Sequence, residues 1–130
     1  MDDKVWLALQ ELGYGVTEDR GISGMLRPLW LPSEPFDSNW FDNGIAMESC
    51  HETEAKAKAA CLDHLRANKE TMMNRMVKAI GTESVFIWQH DKENWWTARV
   101  LNVNGKSADG DEPSDAVYAL WCKVKGAPDA

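Results

Sequence analysis

Residues 45–81 read IAMESCHETEAKAKAACLDHLRANKETMMNRMVKAIG and contain most of the regular apolar spacing of the chain. Thr53 is a favourable N-cap, and the alanines that follow it are the strongest intrinsic helix formers. Apolar residues then recur mostly at three- and four-residue steps, on one helical face: Ala57, Cys61, Leu65, Met72, Met76 and Ile80. Gly81 supplies a C-terminal stop. The stretch therefore predicts a short strand at 45–49 followed by one long helix at 53–80.

Length, charge and cysteine content narrow the class of protein. At 130 residues the chain can bury a core without metals or disulfides, and we predict a single domain over 1–130. The net charge of -7 disfavours a general nucleic-acid or anionic-membrane binder, which would need the opposite sign. The first residues lack a signal-peptide pattern, and no apolar run approaches the ~20 residues of a membrane span. Three cysteines, an odd number, indicate free thiols and a cytoplasmic protein. We expect either a monomer or a homodimer.

Local signals outside this stretch predict the other elements. Asp2 and Asp3 can cap a first helix, and the apolar stretch 25–31 could form an edge strand because Pro28 lacks an N–H donor. Residues 84–90 and 95–103 form a predicted β-hairpin, and Pro113 opens a helix at 113–125. Together these signals predict an α+β fold, with two or three helices on an antiparallel sheet of four to five strands and the 45–81 unit at its centre.

Two segments of the chain show a faint internal similarity. When residues 53–62 are set over 112–121, Ala57 meets Ala116 and Ala60 meets Ala119. Each predicted helix follows a strand and an acidic lead-in. The similarity suggests a duplicated strand-to-helix unit, with small residues where helix meets sheet.

The second of these segments also resembles a group of known proteins. An acidic turn at 110–112 leads into the Pro113-x-x-Ala116 helix start after a strand. In this the chain resembles small phage and prophage accessory proteins built from a sheet and helices. The resemblance covers about 45 residues, from the 84–90 strand to Lys125. It implies a phage or mobile-element origin and transfers no site residues.

The cysteines and histidines allow two enzymatic interpretations, a zinc site and a nucleophilic Cys–His pair formed by Cys50 or Cys61 with one of the three histidines. Cys50, His51, Cys61 and His64 would be a permitted zinc set, and Cys61 and His64 are three apart on the predicted helix. However, adjacent residues on a strand point to opposite faces, and the paired-cysteine spacing of zinc sites is missing. The sequence also lacks the common nucleophile, phosphate-loop, dinucleotide and metalloprotease motifs. We therefore predict no catalytic residues, metal or cofactor, and keep a small Cys/His or zinc enzyme as a third alternative.

The acidic residues are unevenly distributed. Residues 28–55 contain no Lys or Arg and six acids: Glu34, Asp37, Asp42, Glu48, Glu52 and Glu54. A second acidic cluster comprises Asp109, Asp111, Glu112 and Asp115. Stabilisation of helix N-termini explains five of these acids but not the absence of bases from 28–55; the five are Glu52, Glu54, Asp111, Glu112 and Asp115. That region predicts an acidic surface that faces a basic partner.

Seven tryptophans are the main compositional oddity. Trp95 and Trp96 are neighbours on a predicted strand, so their rings leave opposite faces of the sheet, and Trp88 lies on the facing strand. Either helices cover both faces or an aromatic patch is exposed. An exposed tryptophan is typical of a binding hot spot.

The function that these features favour is a non-enzymatic protein-binding module. We expect an acidic inhibitor of a host nucleic-acid-handling or defence protein, of the anti-CRISPR or anti-restriction type, whose carboxylates replace phosphates. The expected partner-binding residues are Glu34, Asp37, Trp40, Phe41, Asp42, Trp95 and Trp96. The alternative is a single-stranded nucleic-acid binder that uses the basic face of the long helix and the hairpin tryptophans.

Overall fold

A computed structural model describes residues 2–19, 29–32, 51–81, 85–90, 92, 94–101 and 106–127. The chain folds as two units, Met1–Leu65 and Arg66–Ala130. The described residues form an α+β structure with four helices and five strands. These strands lie in two separate antiparallel sheets, one of two strands and one of three. The expected single sheet of four to five strands is therefore not confirmed.

The first helix, α1, spans Asp3–Glu11 and begins where the sequence predicts. Asp2 is its N-cap, and the Asp2 carboxylate accepts a hydrogen bond from the backbone N–H of Lys4 at 2.9 Å. Its apolar face is buried, with Val5, Leu9 and Leu12 all at most 3% exposed. The chain then turns at Gly13, where φ is 102°.

Two short strands follow in the first unit. β1, Val16–Asp19, pairs antiparallel with β2, Leu29–Pro32. His51 extends this pairing by exchanging two backbone hydrogen bonds with Trp30, at 2.9 and 3.0 Å. The sequence-based strand at 25–31 overlaps β2 at residues 29–31, and residues 25–28 lie outside the described residues.

The predicted long helix is two helices, and the prediction of one continuous element at 53–80 is wrong. α2 spans Glu54–Ala67 and α3 spans Lys69–Ile80. Asn68 separates them with φ −127° and ψ 37°, outside helical geometry. Asn has a poor helix propensity, and its carbonyl accepts the Met72 N–H at 3.0 Å to begin the new helix. Both predicted ends are confirmed, since the Thr53 hydroxyl accepts from the Lys56 N–H at 3.2 Å and Gly81 caps α3.

The second unit contains the predicted hairpin. β3, Val85–Gln89, pairs antiparallel with β4, Trp96–Val100, and the His90 N–H closes the turn by donating to the Trp95 carbonyl at 2.9 Å. β5, Ser107–Gly110, pairs with the other edge of β4 and gives the order β3-β4-β5. The pairing of β3 with β4 confirms the hairpin prediction, and β5 is a third strand that the prediction did not include.

The last helix, α4, spans Pro113–Lys125 and packs on this sheet and on α3. Because it is covered on two sides, the whole run from Ala116 to Cys122 is buried rather than a single stripe. The helix starts very close to the end of β5. A Cβ at Gly110 would lie 2.5 Å from the backbone N of Ala116, so only glycine fits at this approach.

Polar contacts of Tyr118 join the end of α2 and the start of α3 to α4. The Arg66 guanidinium donates to the Tyr118 hydroxyl at 3.0 Å, and the Lys69 ammonium lies 4.8 Å from the centre of its ring. Lys69 also forms an ion pair with Asp115 at 3.2 Å. Burial raises the pKa of Tyr118 to about 12.

The suggested duplication has no further support from the described residues. Ala57 and Ala116 are both fully buried, as small residues at a helix contact should be. The strand expected at 45–49, which would complete the first copy and was placed at the centre of the sheet, lies outside the described residues.

Candidate partner-binding site

The register of the three-stranded sheet assigns its residues to two faces. Side chains alternate along a strand, and directly paired residues share a face. One face, here called the closed face, carries Val85, Ile87, Gln89, Trp96, Ala98, Val100, Ala108 and Gly110. Its central residues are at most 8% exposed, and the Gly110 contact with the start of α4 identifies it as the face that α4 covers.

The opposite face, here called the open face, carries Phe86, Trp88, Thr97, Arg99, Ser107 and Asp109. Phe86 is 55% exposed and Trp88 is 37% exposed. These two residues are two apart on β3, so their rings are neighbours on the same face. The open face therefore presents a pair of large aromatic side chains to solvent.

The aromatic pair continues into the hairpin turn. The His90 ring stacks on the Trp95 ring with their centres 3.5 Å apart and their planes at 18°, and the Trp88 ring is 6.0 Å from His90. The rings thus line up across the end of the sheet next to the turn. Ring–ring contacts of this kind restrict side-chain motion and hold the aromatic surface in place.

A short chain of hydrogen bonds crosses the open face beside these rings. The Thr97 hydroxyl donates to Asp109 Oδ1 at 2.7 Å, so its oxygen accepts from His90 Nε2 at 2.7 Å. This requires a proton on Nε2 of His90. Thr97 is only 6% exposed, which makes it the buried polar centre that orients His90 on one side and Asp109 on the other.

An open pocket of about 360 Å³ lies at this end of the sheet. Its lining residues are Trp95, Asp109, Gly110 and Asp111. The pocket thus combines an aromatic wall and two carboxylates with a glycine that adds no side chain.

The expected partner-binding residues divide into two groups. Five of them, namely Glu34, Asp37, Trp40, Phe41 and Asp42, lie outside the described residues. The other two, Trp95 and Trp96, lie on opposite faces of the sheet, both half-buried. Only Trp95 belongs to the open face, where it stacks on His90.

Several residues of the open face were absent from the expected site. The alternation of Phe86, Trp88 and His90 along the predicted strand places all three on one side, and this signal was readable in the sequence. Asp111 was attributed to stabilisation of the following helix, and Asp109 was noted only as a member of the second acidic cluster. Their proximity to Trp95 depends on the pairing of β4 with β5, which the sequence analysis did not include.

The cysteines and histidines of the proposed enzymatic alternatives have other surroundings. Cys61 is fully buried, and its thiol lies 4.0 Å from the Gly15 carbonyl. Burial raises the pKa of Cys61 to about 12, so the thiolate needed by a nucleophile or a zinc ligand is disfavoured. His64 Nδ1 is 2.7 Å from the Tyr14 hydroxyl, and Cys50 lies outside the described residues. Within the described part of the chain, no three His, Cys, Asp or Glu side chains cluster to hold a metal ion.

His51, the remaining member of that set, is half-buried beside β2. Burial, and secondarily the charge of Lys56, lowers the pKa of His51. Its backbone groups are both paired with Trp30. These contacts give His51 a structural role at the edge of the first unit's sheet.

Of the helices in the described ranges, none has the length and apolar character needed to cross a bilayer. Comparison of the chain with protein-family models, with characterised proteins and with solved structures found no match.

Proposed function

We propose that this protein is a non-enzymatic protein-binding module that contacts a basic partner protein with the open face. The observation that carries the proposal is the pair Phe86 and Trp88, 55% and 37% exposed and adjacent on one face of a sheet. A large aromatic ring in water contributes little to folding. In an interface it buries a large area at a small entropic cost.

The rigidity of the open face supports a binding role. Phe86 and Trp88 are on a strand paired along its full length with β4, and Trp95 is held by His90. A preorganised surface loses little conformational entropy when a partner binds. The aromatic patch is thus suited to act as the centre of an interface.

Charge supports a basic partner. The chain carries a net charge of -7, and Asp109 and Asp111 lie at the end of the open face nearest Trp95. Complementary charge increases the rate of association and excludes anionic partners. Nucleic-acid-handling proteins have basic surfaces. The proposed role is therefore that of a cytoplasmic inhibitor, carried by a phage or mobile element, which binds a host protein of that kind or a defence protein. The acidic, aromatic region at 34–42 is a second contact in this proposal.

A single-stranded nucleic acid is the alternative ligand. Aromatic rings on a sheet can stack bases, and Arg99 shares the open face with Phe86. Against this, Asp109 lies on the same face and the whole chain is acidic. Phosphates would be repelled, so a protein partner is favoured.

The test compares wild-type protein with the double variant Phe86→Ser/Trp88→Ser. Each is used to capture partners from a lysate of the cells in which the protein occurs, and binding of the captured protein is then measured with purified components. We expect the double variant to bind at least about 30-fold more weakly, which corresponds to the ~2 kcal/mol of a hot spot. Raising the salt concentration should slow association of the wild type.

Leu7→Ser is the matched control. Leu7 is 61% exposed on α1, so this change also replaces an exposed apolar side chain by serine but leaves the open face intact. The control should bind like the wild type. Equal binding by the double variant would overturn the proposal. Tight binding of an oligothymidylate by the wild type, lost in the double variant, would instead establish the nucleic-acid alternative.

A further inference from the structure

The pocket beside Trp95 has the composition of a site for an organic cation. Trp95 provides an aromatic ring, and the carboxylates of Asp109 and Asp111 provide two negative charges. Gly110 lies between the two acids and contributes only backbone to the lining, because a side chain there would point towards the start of α4. The pocket volume of about 360 Å³ is at the small end of the range for ligand pockets. Such a space accepts one side chain rather than a large molecule.

Two of the pocket's groups are fixed before any ligand arrives. Trp95 stacks on His90 at 3.5 Å, and Asp109 Oδ1 accepts a hydrogen bond from Thr97 at 2.7 Å. Thr97 is itself 6% exposed and anchored by His90. The Trp95 ring and the Asp109 carboxylate therefore have defined positions. The second oxygen of that carboxylate, Oδ2, can accept a hydrogen bond from a ligand.

The negative charges of the pocket have no cationic partner in the part of the chain that the structure describes. Lys69 pairs with Asp115, whereas Lys123 donates to the Ser107 carbonyl at 2.7 Å. Arg99, which is diagonal to Asp109 across β4 and β5, forms no ion pair with it among the described residues. The dipole of α4 accounts for an acid at Asp111, but it does not require Asp109 or an aromatic wall.

We propose that this pocket binds the side chain of an arginine presented by the partner protein. A guanidinium is planar, stacks on aromatic rings, is weakly hydrated and donates up to five hydrogen bonds in fixed directions. It can therefore contact Trp95 and both carboxylates together. A lysine ammonium is more strongly hydrated and cannot stack as a plane. The assignment rests on the proposed function, since it supplies the chemistry by which a basic partner is recognised.

The test uses a small probe, so it does not require the partner. The indole N–H resonances of ¹⁵N-labelled protein are followed during titration with N-acetyl-arginine methylamide. N-acetyl-citrulline methylamide has nearly the same shape without the charge and is the ligand control. We expect a saturable shift of the Trp95 resonance and of the backbone amides of Asp109 and Asp111 with the arginine compound, and none with the citrulline compound.

Two variants sharpen the assignment. Asp111→Asn removes one charge from an exposed side chain and should weaken binding of the arginine compound by about three- to tenfold. Asp3→Asn makes the same change on α1 and should leave the affinity unaltered. The spectra also report whether each variant is folded.

Three results would overturn the arginine assignment. They are equal shifts with the citrulline compound, equal affinity of Asp111→Asn and wild type, and tighter binding of N-acetyl-lysine methylamide. None of them bears on the Phe86/Trp88 comparison, so the pocket can fail while the proposed function stands. Conversely, loss of partner binding in Asp111→Asn but not in Phe86→Ser/Trp88→Ser would keep the pocket and remove the aromatic pair.

Discussion

The two faces of the three-stranded sheet differ in the size of their central side chains. The closed face has Ala98 and Ala108 at its centre, which lets α4 approach the strands closely. The open face has Phe86 and Trp88, although no helix of the same unit packs on them among the described residues. Stability alone would place the large aromatics under the helix. Their placement in solvent is the basis of our proposal that the open face serves recognition, while the closed face serves folding.

The largest expected difference comes from deleting a tryptophan on each side. Trp121 on α4 is fully buried, and Trp121→Ala should lower the free energy of unfolding by about 3–5 kcal/mol. Trp88→Ala, a chemically identical deletion on the open face, should lower it by less than about 1 kcal/mol. Urea unfolding followed by circular dichroism measures both. A loss of similar size in the two variants would show that the open face is part of the core.

A smaller effect is expected where β5 meets α4. In Gly110→Ala the new Cβ would lie 2.5 Å from the Ala116 nitrogen, which forces the helix start and the strand apart. We expect a loss of about 1–3 kcal/mol in unfolding free energy. Ser107→Ala, on the exposed part of the same strand, should change it by less than about 0.5 kcal/mol. Thermal melts of the two variants would contradict the close contact if they coincide.

The stability of the buried α4 helix should also depend on alkaline pH through Tyr118. The pKa of this phenol is raised from 10.0 to about 12 by burial, so its neutral form is favoured in the folded state. Its contribution to stability is fully present below pH 10 and is lost as the pH rises through about 12. Tyr118→Phe removes the hydrogen bond from Arg66, so its unfolding free energy should be about 0.5–1.5 kcal/mol lower at neutral pH. Because the variant has no phenol to ionise, its unfolding free energy should fall less steeply than that of the wild type above pH 10. Unfolding curves between pH 7 and 12 measure this, and an unchanged alkaline slope would contradict it.

The smallest stability effect should come from the hydrogen-bond chain on the open face. Thr97→Val keeps the side-chain shape but removes the hydroxyl that joins His90 to Asp109. Because both partners can bond to water, we expect a loss of under about 1 kcal/mol. The shift of the Trp95 indole caused by the arginine compound should decrease, since Asp109 loses its fixed position. A large loss of stability would instead place Thr97 in the folding core.

Local sequence signals explain which parts of the fold were predictable. The caps at Asp2, Thr53, Gly81 and Pro113 each depend on a few neighbouring residues, and every helix end they marked is present. The break at Asn68 was missed because one residue of poor propensity has a small energetic effect, and the apolar spacing continues across it. The division into two sheets was missed because strand pairing depends on distant contacts.

The candidate site was predictable only in part for the same reason. The opposite orientations of Trp95 and Trp96 follow from strand geometry, but that geometry does not decide which of the aromatic residues are covered and which are exposed. Which face α4 covers is decided by the small residues Ala98 and Ala108 and by Gly110. Asp109 joins the aromatic residues only through the register with Thr97, which no local pattern revealed.

Hydroxyl-radical labelling of the free chain and of its complex with the captured partner tests the division of the two faces most directly. Mass spectrometry measures the modification of each aromatic residue in both states. We predict strong labelling of Phe86 and Trp88 in the free chain, protection of both in the complex, and little labelling of Trp121 in either state. Protection confined to other residues, with Phe86 and Trp88 labelled equally in both states, would contradict the assignment of the open face to recognition.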